Sequence, residues 1–241
     1  MDAQSPVDGS AAMADMARIA RLLQFADSTL PVGAFAFSNG LESAIQTGVV
    51  HDPKSLAAFV ALVLRQSARM DGIAHLHGHR AARADRYEGV LAADAELWCR
   101  RVGEEQQLML ARMGRKLAEL ALKIGDFPLV ARWLADIKVG TTPGAFPVGQ
   151  ALVLAGLGAD EREAFAVHQY GVAAMVLSAS LRLMRIDHID TQRILFEAQQ
   201  RVGDDFEAVR DLSLAEMSVF APVFDVLVAH HTTTHLRLFM N

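Results

Sequence analysis

The chain has 241 residues, of which 52% are hydrophobic and 21% charged, and its formal net charge is −5. This composition is apolar enough to bury a core in one large domain or two small ones. The acidic balance argues against a nucleic-acid binder, which usually has a strongly basic face. The single cysteine, Cys99, cannot form an internal disulfide, so we expect a reducing, cytoplasmic setting.

The first part of the chain predicts a tail followed by helix. Residues 1–12 are small and polar, and we expect them to be a disordered N-terminal tail ahead of one helical domain over residues 13–241. From Met13, apolar residues at spacings of three and four predict a helix that Asp27 and Ser28 close. The next segment, residues 30–42, is rich in glycine and phenylalanine and predicts an irregular loop.

Helical patterns continue through the rest of the chain. Asp52 and Pro53 predict a helix start, since Asp52 can cap and Pro53 suits the first position. We expect Asp71-Gly72 to interrupt this helical region. Further helices are predicted over residues 94–101, 104–124, 129–135, 148–157, 160–184, 191–202 and 206–227. Because no convincing β alternation occurs, the fold class is all-α, a single-domain multi-helix bundle.

Two stretches without Asp, Glu, Lys or Arg have the composition of membrane spans. Residues 139–159 contain two prolines and five glycines and cannot hold one unbroken helix. Residues 164–181 include His168, Gln169, Tyr170 and two serines, whereas a span needs roughly 20 predominantly apolar residues. We therefore interpret 164–181 as the central buried helix of the bundle and expect no membrane association.

Sequence motifs for catalysis are not found. No segment reads GxxxxGK[ST], so nucleotide hydrolysis by this chain is not expected, and the GxSxG elbow of serine hydrolases is also missing. The acidic pairs Glu104-Glu105 and Asp204-Asp205 lie where helices are predicted to start. There the negative charges stabilise the helix through its dipole, so we do not interpret them as catalytic acids or bases. We predict a protein that is not an enzyme and uses no cofactor.

Histidine pairs are the candidate metal ligands. His75 and His79 lie one helical turn apart, as do His231 and His235. A metal site normally needs at least three protein ligands, so we favour a solvated helix face with freely titrating histidines for the first pair. For the second pair a helix C-terminus, a metal site and recognition of a partner protein remain open.

Three separated segments resemble the UreF family of urease accessory proteins. In residues 21–50 a leucine-rich helix leads into LPVG, an aromatic-serine element and GLE. The matching residues are Leu30, Pro31, Val32, Gly33, Phe35, Ser38, Gly40, Leu41 and Glu42. Residues 181–195 resemble a second family segment, although Arg185, Asp187 and His188 depart from its usual proline, glycine and glutamine.

The third segment is the end of the chain, HTTTHLRLFMN. It is similar to the family ending through His231, Arg237, Leu238 and Phe239. His235 stands where an aromatic residue is common, and Met240 and Asn241 replace the usual Arg and Ser.

The resemblance implies an all-α homodimer that binds a UreD/UreH-type accessory protein and recruits the UreG-type GTPase. That assembly docks on apo-urease and delivers nickel. We predict that the partner-binding residues are Phe35, Phe37, Ser38, Gln192, Arg193, His231, His235, Arg237, Leu238 and Phe239. The alternatives are a metallochaperone that binds nickel through its histidines and a helical regulator unrelated to urease.

Two of these predictions have structural alternatives. Phe35 and Phe37 are either exposed anchors for a partner or core residues. The tail from Thr232 to Asn241 is expected to order only against the UreD/UreH-type partner, the alternative being a tail packed on its own domain.

Overall fold

A computed structural model describes residues 9–27, 29–101 and 103–218, and within these ranges all regular structure is helical. The all-α prediction is confirmed. The α-helices are α1 (Gly9–Ala26), α2 (Leu41–Gln46), α3 (Pro53–Ser67), α4 (Ile73–Arg83), α5 (Tyr87–Arg100), α6 (Glu104–Ile124), α7 (Pro128–Val139), α8 (Phe146–Gly156), α9 (Glu161–Leu183), α10 (His188–Gln199) and α11 (Val202–Val209). Short 3-10 turns occupy Ala34–Ala36 and Leu214–Glu216.

Aspartate caps start two of the longest helices. The Asp52 side chain accepts a hydrogen bond of 2.7 Å from Ser55 N, and Pro53 takes the first position of α3. Asp160 accepts bonds of 2.8 Å from the amides of Arg162 and Glu163 at the start of α9. Both caps confirm the prediction, because each carboxylate pairs amides that the first turn leaves without partners.

The helical region that starts at Pro53 is not interrupted at Asp71-Gly72, as had been predicted. Ala68–Gly72 form a π-helical turn that joins α3 to α4. The turn lets α4 continue while the ring of Phe165 packs closely on Gly72, where an added Cβ would lie 2.8 Å from Phe165 Cε2. π-turns of this kind are inserted into α-helices and often occur at functional sites.

Two predicted helix boundaries were wrong. The helix expected to start at Asp94 begins at Tyr87, since Asp85 takes a left-handed conformation (φ +52°) that ends α4 and lets α5 start at once. The helix predicted over 206–227 stops at Val209. There Ser213 and Glu216 cap each other and start a separate 3-10 turn.

Smaller shifts occur elsewhere. The helix predicted from residue 191 starts at His188, where the Asp187 carboxylate accepts a bond from Asp190 N. The first helix begins at Gly9 rather than Met13. The division into a tail and one helical domain stays a prediction, since residues 1–8 and 219–241 lie outside the described ranges.

A buried carboxylate ties α5 to the loop before α8. Asp94 is fully buried and accepts four hydrogen bonds, of 2.6–3.0 Å, from Trp133 Nε1, Thr142 Oγ1 and the amides of Gly144 and Ala145. Burial raises the pKa of Asp94, although each of these bonds favours the ionised form. The carboxylate thereby fixes the residues that enter α8.

The centre of the molecule is formed by α8 and α9. In α8 every residue from Pro147 to Ala155 is buried. In the part of the chain that the structure describes, α9 alone is long and apolar enough to cross a membrane, with a mean hydropathy of 1.3 in its most apolar window. Of that window 61% is buried inside the protein. This burial agrees with the predicted central helix.

Candidate interaction surface and buried polar centre

The loop between α1 and α2 turns its two phenylalanines in opposite directions. Gly33 has a φ of +92°, a conformation that favours glycine, and it starts the 3-10 turn at Ala34–Ala36. Phe35 on this turn is 70% exposed, whereas Phe37 is 3% exposed. Ser38 is also buried, and its Oγ accepts a long bond of 3.5 Å from Glu42 N. Phe35 alone of these three residues is available to another molecule.

Arg182, near the end of α9, holds Phe35 in its exposed position. The guanidinium carbon lies 3.5 Å from the centroid of the Phe35 ring, and Nη2 donates a 2.8 Å bond to the Phe35 carbonyl. A stacked guanidinium restricts the ring without covering it. A shallow groove lined by Pro31, Lys116 and Leu181 runs beside this pair.

Behind Phe35 lies a cavity of about 120 Å³. Its walls are mostly apolar and rich in methionine, and they include Phe25, Val63, Met70, Met109, Met113 and Met175. One side is polar and contains Gln66, His168 and the largely buried ion pair of Asp71 with Arg101. Oε1 of Gln66 and Nε of Arg101 are buried and have no hydrogen-bond partner among the described residues.

The polar side of the cavity continues into a buried histidine pair. His168 Nδ1 lies 3.0 Å from Gln150 Oε1, and Nε2 lies 3.3 Å from Ser67 Oγ. These partners fit the neutral ring with its proton on Nδ1, donating to Gln150 and accepting from Ser67. The ring of His75 stacks on His168 with centroids 5.0 Å apart, and its Nδ1 donates to the Pro147 carbonyl over 2.9 Å.

Burial keeps both rings neutral. It lowers the pKa of His168 to about 4; Asp71 opposes this with a weaker effect that raises the pKa, and Arg101 lowers it slightly further. The pKa of His75 is also lowered well below 6.5, mainly by burial and then by the neighbouring His168. The Ala164 carbonyl weakly raises the pKa of His75. His75 Nε2 is nevertheless buried and makes no hydrogen bond of good geometry with the described residues.

The predicted solvated histidine face was wrong. His75 and His79 are 0% and 2% exposed, because α4 packs between α5 and α8. His79 Nε2 lies 3.0 Å from the Ala159 carbonyl, and burial lowers its pKa. The small residues Ala74 and Gly78 of α4 allow another helix to approach closely, and a Cβ added at Gly78 would lie 3.5 Å from Val148 of α8. These small residues are the feature of the sequence that could have predicted a buried α4. Within the described ranges, no three His, Cys, Asp or Glu side chains lie together as a metal site would require.

The predicted partner residues of α10 are on the surface. Gln192 and Arg193 are exposed, and Arg193 pairs with Asp190 of the same helix at 3.1 Å. Two residues missed in the sequence, Ile189 and Phe196, are 70% and 73% exposed on this helix. Their spacing of seven is that of one helix face, and it is a signal that the sequence already contained.

The C-terminal candidates lie beyond the described ranges, together with the altered ending at Met240 and Asn241; they are His231, His235, Arg237, Leu238 and Phe239.

Comparison with known proteins identifies clear relatives. A family model described as UreF matches residues 50–199. The urease accessory protein UreF of Yersinia pseudotuberculosis serotype IB (strain PB1/+) is 48% identical over 221 residues, which cover 92% of this chain and 97% of that protein. The proteins of the same name from Yersinia pestis (strain Pestoides F) and Yersinia enterocolitica serotype O:8 have the same identity and coverage.

Proposed function

The chain belongs to the UreF family of urease accessory proteins, and we propose that it acts as a scaffold in loading nickel into urease, with no catalysis of its own. In this role it bridges a UreD/UreH-type accessory protein and a UreG-type GTPase and supports nickel incorporation into apo-urease. It acts in the cytoplasm as a homodimer. The nucleotide chemistry belongs to the GTPase.

The observation that carries this proposal is the exposed Phe35 ring held by Arg182. The Phe35 ring is 70% exposed and stacked on a guanidinium, and an exposed aromatic side chain held in one position is a typical anchor of protein interfaces. Because Arg182 already fixes the ring, a partner loses little conformational entropy in binding it.

A second contact region on α10 supports the same role. Ile189 and Phe196 are exposed apolar residues beside Gln192 and Arg193. Apolar anchors flanked by polar residues fit an interface with a dry centre and a solvated rim. The C-terminal residues from His231 to Phe239 are proposed to contribute to binding of the UreD/UreH-type protein.

Co-purification with the two accessory partners tests this proposal. Phe35→Ala should reduce recovery of the partner that contacts Phe35 at least tenfold, since an aromatic hot spot contributes roughly 2 kcal/mol. The matched control is Val139→Ala, which truncates a 77% exposed side chain at the end of α7. Recovery of both partners with Phe35→Ala at the level of Val139→Ala would refute the role of Phe35. Failure of the unaltered chain to bind either partner would refute the scaffold itself.

A further inference from the structure

The shallow groove beside Phe35 and Arg182 has the charge to recognise an acidic partner. We propose that it binds a short acidic segment of a partner protein. In this complex a carboxylate of the segment pairs with Lys116, and a neighbouring apolar side chain packs on the Phe35 ring. The inference rests on the proposed scaffold function and adds to it the chemistry that the groove recognises.

The described residues that line the groove include two cations and no carboxylate. The cations are Lys116 of α6 and Arg182 of α9, and the other lining residues are uncharged. The chain as a whole has a formal net charge of −5. A basic groove on an acidic protein, next to an exposed aromatic side chain, attracts a negatively charged segment to that place and favours it over the rest of the surface.

Lys116 lies against the loop that carries Phe35. A Cβ added at Gly33 would be 3.4 Å from Lys116 Nζ, so the ammonium group lies next to the start of the 3-10 turn. Lys116 is exposed. None of the ion pairs among the described residues involves it. The groove therefore contains a positive charge that a carboxylate from another molecule can reach.

The charges of α6 are paired on one face of the helix and not on the next. Arg115 pairs with Glu119 one turn later, at 2.9 Å. Lys116 instead follows Arg112 by one turn, and Arg112 is also exposed and forms no ion pair with a described residue. Like charges four residues apart slightly destabilise a helix, and a bound carboxylate relieves their repulsion.

The Phe35 ring supplies the apolar contact. Arg182 stacks on one side of the ring and donates to the Phe35 carbonyl, and neither the ring nor the carbonyl has a formal charge. The ring is 70% exposed, so an apolar side chain can still pack on it. The groove has a volume of about 660 Å³, several times the roughly 150 Å³ that admits benzene in another protein. It therefore has room for several side chains rather than for a single ion.

A short peptide segment is favoured over a nucleic acid as the occupant. Double-stranded DNA has one negative charge for about every 1.7 Å of its length, so it needs an extended basic surface. The groove offers two lining cations on a chain whose net charge is −5. This limited charge matches one or two carboxylates.

Charge reversal at two adjacent residues of α6 tests the proposal. Lys116→Glu reverses the charge in the groove. Arg115→Glu is the matched control, since Arg115 is 55% exposed and does not line the groove. The dissociation constants of the full chain for the UreD/UreH-type protein and for the UreG-type GTPase are measured at about 50 mM and about 500 mM salt, because salt screens exposed charges.

At the lower salt concentration, Lys116→Glu should raise the dissociation constant for at least one partner about fivefold, and Arg115→Glu should raise it less than about twofold. At the higher concentration the two variants should differ by less than about twofold. Lys116→Gln, which removes the charge without reversing it, should show a smaller effect in the same direction.

Equal dissociation constants for Lys116→Glu and Arg115→Glu at low salt would overturn the proposal. So would tighter binding by Lys116→Glu, or a fivefold loss that high salt does not reduce, since neither fits an acidic segment. In each of these cases the unaltered chain still binds its partners, and the scaffold function stands. Binding of the unaltered chain to neither partner would instead refute the scaffold function, and this proposal with it.

Discussion

Asp94 accepts four buried hydrogen bonds through its carboxylate, which is more buried bonds than any other side chain has among the described residues. Asp94→Ala removes the common acceptor of Trp133 Nε1, Thr142 Oγ1 and two backbone amides. Buried donors without partners cost about 1–3 kcal/mol each, so we expect the free energy of unfolding to fall by roughly 3 kcal/mol or more.

Urea titration followed by circular dichroism measures this loss. The control is Asp211→Ala, which removes a carboxylate that is 85% exposed, and we expect it to change stability by less than about 0.5 kcal/mol. Equal losses for both variants would show that the four bonds to Asp94 contribute no particular stability.

A second residue-scale prediction concerns His168 and pH. The free side chain has a pKa of 6.5, and burial lowers this pKa to about 4 in the folded protein. As pH falls from 6.5 towards 4, the unfolded chain therefore binds a proton that the folded protein does not. The free energy of unfolding decreases over this range by up to about 3 kcal/mol from His168, while above pH 6.5 the contribution is fully present.

Urea titrations between pH 7.5 and pH 4.5 test this dependence. His168→Gln should flatten the fall in stability, since glutamine does not titrate. The exposed His51 provides the control, and His51→Gln should keep the slope of the unaltered chain. If His168→Gln retained that slope as well, the histidine would not be the source of the acid sensitivity.

At the scale of helices and loops, the closest backbone contact of a described glycine is where Gly114 of α6 crosses the loop before α8. A Cβ at Gly114 would lie 2.9 Å from Phe146 N and still closer to the Gly144 carbonyl oxygen. Backbone atoms cannot move aside as a side-chain end can, so α6 would have to shift. Gly114→Ala should therefore lower the free energy of unfolding by about 1–3 kcal/mol.

Gly171 in α9 is the matched helical glycine. An added Cβ there meets no heavy atom within 4 Å, and Gly171→Ala should stabilise the protein by up to about 1 kcal/mol through helix propensity. Thermal melts of both variants compare the two effects. A neutral or stabilising Gly114→Ala would contradict the close contact of α6 with the loop.

Elements are predictable from this sequence where their signals are local. The caps at Asp52 and Asp160 lie within three residues of the amides that they pair, and both helix starts were correct. Residues 206–227 show where this fails. Their apolar pattern suits a helix, but the reciprocal bonds of Ser213 and Glu216 start a new turn after α11.

For the molecule as a whole, the candidate site was only partly predictable because its contacts are distant in sequence. The glycine-rich loop indicated fixed phenylalanines, but the residue that holds the exposed Phe35 is Arg182, which is 147 residues away in the sequence. The buried histidine pair likewise joins α4 to α9. Periodicity within one helix contains no information on which other helix will cover it.

The π-turn at Ala68–Gly72 makes the molecule sensitive to the number of residues between α3 and α4. One residue corresponds to about 100° of rotation around an α-helix. Deleting a single residue from the turn, even a chemically unimportant one, would swing the whole of Ile73–Arg83 by that angle against α3. His75, Leu76 and His79 would leave the interior together, and charged neighbours such as Arg80 would point inward. Chimaeras that exchange segments with relatives should therefore place their junctions outside residues 53–83.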